Sequence, residues 1–366
     1  MDLVVHLTGK FEDRSTELVV ETGVSRAIGP LLRTLFGTSL GPNVAVVTDR
    51  RVGDLYAAPL IDSLGRAGFR TAAHTLEPGE GSKCLAELEK IYSFLMEQQV
   101  GRDGLVLALG GGVVSDVAGF AAATWMRGID WAVCPTTLEA MIDAAIGGKT
   151  AVNLPGGKNL VGAFHPPRLV AIDPVCLRTL DPRDLRAGLA ESVKHALIAS
   201  PELFAWHERH ARAILARDDR ALMELIEPNV RIKLDIVARD PFERTGERIL
   251  LNFGHTIGHA IEECSGYTLR HGESVALGML AACRLSHSSR LLDRGVVDRV
   301  LELLTSLELP TRLESAPDAA SIMRVLRRDK KAHASEVRFV LLEDIGRPVV
   351  RAVAADEIER AYLSLC

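Results

Sequence analysis

An α/β domain built on a parallel wound sheet, followed by a helical domain, is the fold class this chain predicts. Three observations carry it. Up to about residue 175, short apolar β-type runs alternate with amphipathic helical stretches, the pattern of a parallel sheet covered by helices on both faces. Beyond that point long helical periodicities replace the strands. Within the first part, at Gly110-Gly111-Gly112, a strand feeds directly into a helix. In order, residues 43–49 form an apolar strand ending in a polar pair, and 70–76 a second strand after a helical stretch. Residues 83–98 place Leu85, Leu88, Ile91, Leu95 and Met96 at helical spacing, and 104–109 are a continuous apolar strand. Strands near 132–134 and 169–172 continue the alternation. Helices are expected over 203–216, 220–237, 249–264 and 273–291, with only a weak hairpin signal around Gly346. Domains of residues 1–175 and 176–366 follow, the second all-α apart from that hairpin, with a site in the cleft between them.

Composition narrows the function. At 47% hydrophobic and 25% charged, the 366 residues suit a soluble globular enzyme. A net charge of −5 argues against nucleic acid as a partner. The six cysteines include no CxxC pair, which fits reduced thiols in a cytoplasmic protein. No secretory leader pattern and no apolar run of about 20 residues is present, so no membrane association is expected.

The densest chemistry lies at Asn252-Phe253-Gly254-His255-Thr256-Ile257-Gly258-His259 and His271-Gly272-Glu273. On a helix His255 and His259 share a face, with Asn252 a turn earlier. Buried imidazoles need partners, and a divalent metal is one; satisfied core histidines are the alternative. Glu191 and Lys194, near a helix start after Gly188, could form an exposed ion pair, or Glu191 could join a Glu/His/His metal set. The glycines at 110–112 let an anion approach the backbone at a helix N-terminus, which suits a phosphate or dinucleotide, and a tight turn explains them equally. Between Arg127 and Asn159 runs a polar series with Thr136, Thr137, Asp143, Lys149, Asn153 and Lys158. Both lysines follow paired glycines, placed to meet a phosphate or carboxylate unless they are solvated loops.

Together these motifs resemble the 3-dehydroquinate synthase family, from about Asp49 to Val350 and most densely over 110–159, 188–194 and 248–273. The resemblance implies a dehydroquinate synthase-like fold and metal ligands Glu191, His255 and His271, with zinc or cobalt as the ion, leaving His259 to substrate. It implies NAD on Asp49, Glu80, Lys83, Gly111, Gly112, Val113, Val114, Ser115, Asp116, Thr136, Thr137, Cys176 and Thr179, with Lys149 and Lys158 beside it. Substrate contacts are implied for Asp143, Lys149, Lys158, Asn159, Lys194, Lys233, Arg248, Asn252, His259 and Lys330. Arg127 would reach across a homodimer interface. The implied reaction converts a heptulosonate 7-phosphate to 3-dehydroquinate and phosphate through transient oxidation by NAD⁺ at the metal. Two positions depart from the family pattern: Ser115 replaces a glycine, and Gly81-Ser82 replaces a lysine-tyrosine pair. Rival readings are a cyclase of another sugar phosphate, a metal-dependent polyol dehydrogenase and a catalytically silent scaffold.

Overall fold

The computed structural model describes residues 4–11, 14–328, 332–333 and 336–366. They fall into two compact units, Met1–Leu180 and Asp181–Cys366.

The first unit is a seven-stranded sheet. Its strands are β1 (Val5–Phe11), β2 (Arg14–Val20), β3 (Asn43–Asp49), β4 (Arg70–Leu76), β5 (Leu105–Gly110), β6 (Asp130–Pro135) and β9 (Leu169–Ile172). The order is β1-β2-β9-β6-β5-β3-β4, parallel throughout except for the β1–β2 edge hairpin. All six residues of β5 are buried, as its unbroken apolar run requires of a strand covered on both faces. Helices α1 (Ile28–Phe36) and α3 (Ala58–Arg66) set Ile28, Leu32, Leu60 and Leu64 into one cluster with Val46, Leu107 and Leu109. Each such side chain contributes about 1.5–3 kcal/mol by burial, an upper value because the unfolded chain hides part of the same surface. The short helix α2 (Arg50–Val52) leads into α3; α4 (Leu85–Glu97) and α5 (Gly112–Thr124) follow β4 and β5.

Two hairpins depart from the sequence expectation. The β1–β2 edge hairpin lies outside the strands expected from sequence. The glycine-lysine stretches, for which no strand was expected, pair as β7 (Lys149–Leu154) and β8 (Gly157–Phe164). Gly147 and Gly148, at φ of 103° and 69°, turn the chain into β7.

The second unit contains α6 (Pro182–Ala199), α7 (Pro201–Leu215), α8 (Asp219–Arg239), α9 (His255–Cys264), α10 (His271–Ser288), α11 (Arg294–Ser306), α12 (Ala319–Arg328) and α13 (Ala355–Leu363). It is helical rather than all-α. Strands β10 (Ala332–His333), β11 (Glu336–Asp344) and β12 (Arg347–Ala354) make a small antiparallel sheet that includes the hairpin at Gly346. No described helix is long and apolar enough to cross a membrane.

Two helical expectations are corrected here. The stretch 249–264 is not one helix: a 3₁₀ segment, Glu247–Asn252, ends before Gly254, whose φ of 78° breaks the axis. Asn252 therefore does not share a helical face with His255. Nor does Glu191 begin a helix; α6 opens at Pro182, capped by Asp181, and Glu191 lies in its middle.

The contact of α9 with α10 depends on glycine. A Cβ on Gly278 would fall 1.9 Å from the Gly254 carbonyl oxygen, and one on Gly258 2.9 Å from that of Ser274. Backbone this close excludes any side chain. Gly278→Ala is expected to cost about 3 kcal/mol, the upper end of the usual overpacking range, in urea unfolding; a loss under about 1 kcal/mol would show that the helices separate freely.

Candidate active site

The nucleotide candidates gather at one end of the first unit's sheet. In open parallel sheets, ligands bind at the carboxyl ends of strands where the strand order reverses. Here that point lies between β3 and β5, flanked by Asp49 and Gly111. Gly111 is the N-cap of α5, and Gly112, Val113 and Val114 form its first turn, whose N–H groups lack intrahelical acceptors. A Cβ on Gly111 would meet Thr137 Cγ2 at 2.9 Å. Asp49 caps α2, its Oδ1 accepting the Val52 N–H at 3.0 Å. After β6, Thr136 N donates to Gly110 O at 3.0 Å, while its buried Oγ1 has no hydrogen-bond partner among the described residues. Thr137 Oγ1 accepts from Ala140 N at 3.2 Å.

Ser115 is buried, and its Oγ donates to Gly112 O at 3.0 Å. The hydroxyl that departs from the family pattern is thus taken up inside the helix. Lys83 is buried and donates to Asp116. Burial pushes the Asp116 carboxyl up, with Lys83 and Lys149 opposing. Cys176 is buried, which pushes its thiol up to about 12, so it offers a ligand no thiolate. Its carbonyl accepts from Thr179 Oγ1 at 3.3 Å, and Thr179 is exposed beside the Tyr56 hydroxyl.

Asn153 organises the substrate candidates of this unit, a role the sequence did not reveal. Its Nδ2 donates to Glu80 Oε1 at 2.7 Å, its N to Lys83 O at 2.8 Å, and its Oδ1 accepts from Asn159 N at 2.9 Å. The β7–β8 hairpin is so clamped to the segment bearing Glu80 and Lys83. Lys149 opens β7, and Lys158 and Asn159 follow the hairpin turn. Asp143 lies in a π-helical turn, Ala140–Ala144. Arg127 is exposed in a turn where Met126, Arg127 and Gly128 all have positive φ.

In the second unit, Glu191 Oε1 lies 3.6 Å from His255 Nε2 and 3.4 Å from His271 Nε2. That oxygen is buried and has no hydrogen-bond partner among the described residues. His255 Nδ1 faces Phe253 O at 3.1 Å, and His271 Nδ1 faces Glu262 Oε2 at 3.1 Å. Both acceptors force Nδ1 to donate, which leaves each Nε2 a lone pair turned toward Glu191. Two ligand atoms about 2.1 Å from a tetrahedral ion lie roughly 3.4 Å apart. The three residues therefore fit a divalent metal. Burial holds the His255 imidazole well below its usual range despite Glu191. Burial pushes the Glu191 carboxyl up, but Lys194, His255 and His271 draw it well below the carboxylate range. Neutral imidazole with ionised carboxylate is the donor state a metal needs. His259 is exposed; its ligand atom lies within 4.8 Å of those of His255 and His271.

Several supports were not legible as motifs. Glu262 orients His271 through Nδ1. Arg183, in the first turn of α6, grips Glu273 with two hydrogen bonds of 2.6 and 2.7 Å. Glu273 also accepts from Arg270 N at 2.8 Å, fixing the start of α10 where His271 sits. Gly272 lets α10 approach α6, since a Cβ there would lie 1.9 Å from Ala187 O. Lys233 is buried on α8, Asn252 is half-buried, and Lys330 lies outside the described residues.

Asp240 builds the loop that carries Arg248. Its two carboxylate oxygens accept from the backbone N–H groups of Arg244, Thr245, Gly246 and Arg248 at 2.7–3.2 Å. Arg248 is buried, and Nη1 donates to Pro241 O at 2.9 Å. Burial opposes the Asp240 charge, but these N–H groups outweigh it and draw the carboxyl down to about 2. A depressed folded-state value stabilises the protein above the unfolded value and is lost as pH falls through the folded one. The wild type should therefore lose stability more steeply than Asp240→Asn between about pH 4 and pH 2. Urea unfolding across that range measures both slopes; equal slopes would remove Asp240 from this account.

Comparison with known proteins decides between the rivals. Two family models match the chain, 3-dehydroquinate synthase N-terminal over residues 73–187 and 3-dehydroquinate synthase C-terminal over 188–332. The 3-dehydroquinate synthase of Geobacter metallireducens is 45% identical over 341 residues, covering 93% of this chain and 93% of the relative. This chain belongs to the 3-dehydroquinate synthase family. Members are enzymes, and the scaffold reading falls. The fold is shared with related cyclases. A 2-epi-5-epi-valiolone synthase from Streptomyces hygroscopicus, solved with NAD⁺ and Zn²⁺, is 31% identical with a TM-score of 0.88, covering 97% of this chain and 98% of its own. A 2-deoxy-scyllo-inosose synthase, solved with carbaglucose-6-phosphate, NAD⁺ and Co²⁺, is 25% identical with a TM-score of 0.90, covering 99% and 100%. Within the 3-dehydroquinate synthase match, the N-terminal model spans 110–159 and the C-terminal model spans Glu191, His255, His259 and His271.

Proposed function

We propose that this enzyme converts a 3-deoxy-heptulosonate 7-phosphate to 3-dehydroquinate and phosphate, with NAD and one divalent metal. The observation that carries the reading is the buried Glu191 Oε1, lacking a hydrogen-bond partner among the described residues and facing two Nε2 lone pairs. Glu191, His255 and His271 would hold zinc or cobalt, and the carboxyl ends of β3, β5 and β6 the nucleotide. When bound, the nucleotide supplies reversible hydride acceptance and the metal Lewis acidity toward a ring oxygen.

The chain's own residues do the rest. Lys149, Lys158, Lys194, Lys233, Arg248 and Lys330 are cations for the substrate's phosphate and carboxylate, holding both against movement as bonds break. Asp143, Asn159, Asn252 and His259 meet its hydroxyls. Gly111 to Val114 turn helix N–H groups toward the dinucleotide phosphates, with Ser115 and Asp116 behind them. Asp49, Glu80, Lys83, Thr136, Thr137, Cys176 and Thr179 complete that side. The Met126-Arg127-Gly128 turn projects Arg127 outward, which supports a homodimer in which it serves the partner's site. Six free thiols support a cytoplasmic setting.

Phosphate release with the heptulosonate phosphate, NAD⁺ and Zn²⁺ or Co²⁺, read alongside absorbance of NADH, tests the assignment. Release that needs both additions without net NADH is expected. Accumulating NADH would instead mark a dehydrogenase, and turnover of a different sugar phosphate alone another cyclase.

A further inference from the structure

At the carboxyl edge of the first unit's sheet, one contact joins segments that leave strands well apart. Tyr56 lies in a π-helical turn, Gly53–Ala57, that follows α2 after β3. Thr179 follows β9 and a 3₁₀ helix, Pro174–Arg178. In the sheet, β6 and β5 separate β9 from β3, a span of roughly 14 Å at ordinary strand spacing. The Tyr56 hydroxyl nonetheless meets Thr179 Oγ1, past the strand ends that lead into Gly111 and Thr136. Both sides are anchored. The Tyr56 ring is half-buried against the core cluster that contains Ile28, Leu60 and Leu64. Asp173 is buried and accepts from Gly23 N at 2.9 Å, Val175 N at 3.2 Å and Ser25 Oγ at 2.6 Å, which fixes the turn that leads to Thr179.

The protons of this contact can be counted. The Cys176 carbonyl, which can only accept, lies 3.4 Å from the Tyr56 hydroxyl and 3.3 Å from Thr179 Oγ1. Burial pushes the Tyr56 phenol above its usual value, so it keeps its proton at neutral pH. Two hydroxyls in contact need one proton between them, and the other goes to the carbonyl. Both protons are then spent inside the triad, and the exposed Thr179 has only lone pairs left for a ligand. We propose that Tyr56 is a positioning residue for the nucleotide, its hydroxyl holding Thr179 Oγ1 as a hydrogen-bond acceptor for an amino or hydroxyl group of NAD⁺. The inference rests on the synthase reading above, which puts NAD⁺ along this edge.

Calorimetric titration of NAD⁺ into the whole protein reads the contact directly. Tyr56→Phe should raise the Kd for NAD⁺ about fivefold, the effect of one ordinary hydrogen bond. Its kcat at saturating NAD⁺ and its KM for the sugar phosphate should stay unmoved. Thr179→Val should weaken NAD⁺ at least as much, and Tyr56→Phe should add nothing in that background. Thr179→Ser, which keeps the oxygen, should hold most of the wild-type affinity. Nicotinamide hypoxanthine dinucleotide, which lacks the adenine amino group, identifies the donor. It is the amino group if Tyr56→Phe no longer weakens this analogue, and a ribose hydroxyl if it still does. An unchanged Kd in Tyr56→Phe, additive losses in the double variant, or an equal rise in the sugar-phosphate KM overturns the proposal. A wild type that binds NAD⁺ beside an unaffected Tyr56→Phe removes only this contact. A wild type that neither binds NAD⁺ nor releases phosphate overturns the synthase reading with it.

Discussion

His271→Ala is expected to release the divalent metal and to lower turnover by roughly three orders of magnitude or more, because no other group supplies the lost Lewis acidity. The imidazole begins α10, its side chain is 28% exposed, and its Nε2 stands 3.4 Å from Glu191 Oε1. Truncation there opens no apolar cavity, so the unfolding midpoint of the metal-free protein should hardly move. Metal content after gel filtration and steady-state turnover are the two readouts. Full stoichiometry with turnover within about tenfold of wild type would remove His271 from the ligand set. Glu262→Gln probes the support behind it. Losing the carboxylate that accepts from His271 Nδ1 should weaken metal binding by about 10- to 100-fold with the ligands intact.

The second large effect concerns Glu191 and Lys194. Their side chains are 0% and 1% exposed, and Lys194 donates to Glu191 Oε2. The exposed i,i+3 pair considered from sequence would be worth a few tenths of a kcal/mol. Buried, the same pair behaves differently: removing one member takes a buried ionic partner from the other, at a cost of roughly 3–5 kcal/mol. Glu191→Gln in metal-stripped protein should show that loss in urea unfolding. The double variant Glu191→Gln with Lys194→Met should recover most of it, since replacing both charges removes the desolvation penalty. Simple additivity of the two single changes would sink the argument. The site is therefore costly to the fold without its ligand, which is what a centre built for a metal and an anionic substrate entails.

Local pattern carried a large part of the fold. Strands β3, β4, β5 and β6 and helices α4, α7 and α8 fall where periodicity placed them, because each contains enough apolar repeats to set its own face. The failures have two causes. The β1–β2 and β7–β8 hairpins are stabilised by partner strands, and nothing in Gly-Gly-Lys announces pairing. The helix expected over 249–264 continues in hydropathy but not in backbone, since Gly254 adopts a left-handed φ that a periodicity count passes over.

At the site, residue types and spacing were enough to nominate Glu191, His255, His259 and His271 and the anion-binding lysines. Sequence by itself determined the fold class and the family, because these depend on local periodicity and on motifs written along the chain; the donor set it only nominated. Only tertiary structure decided that Glu191 is buried in mid-helix with Oε1 between two imidazoles. It alone showed Glu262, Asp240 and Asn153 as the supports. Desolvation and hydrogen-bond direction depend on neighbours brought together across distant segments, and those neighbours are absent from any local stretch of sequence.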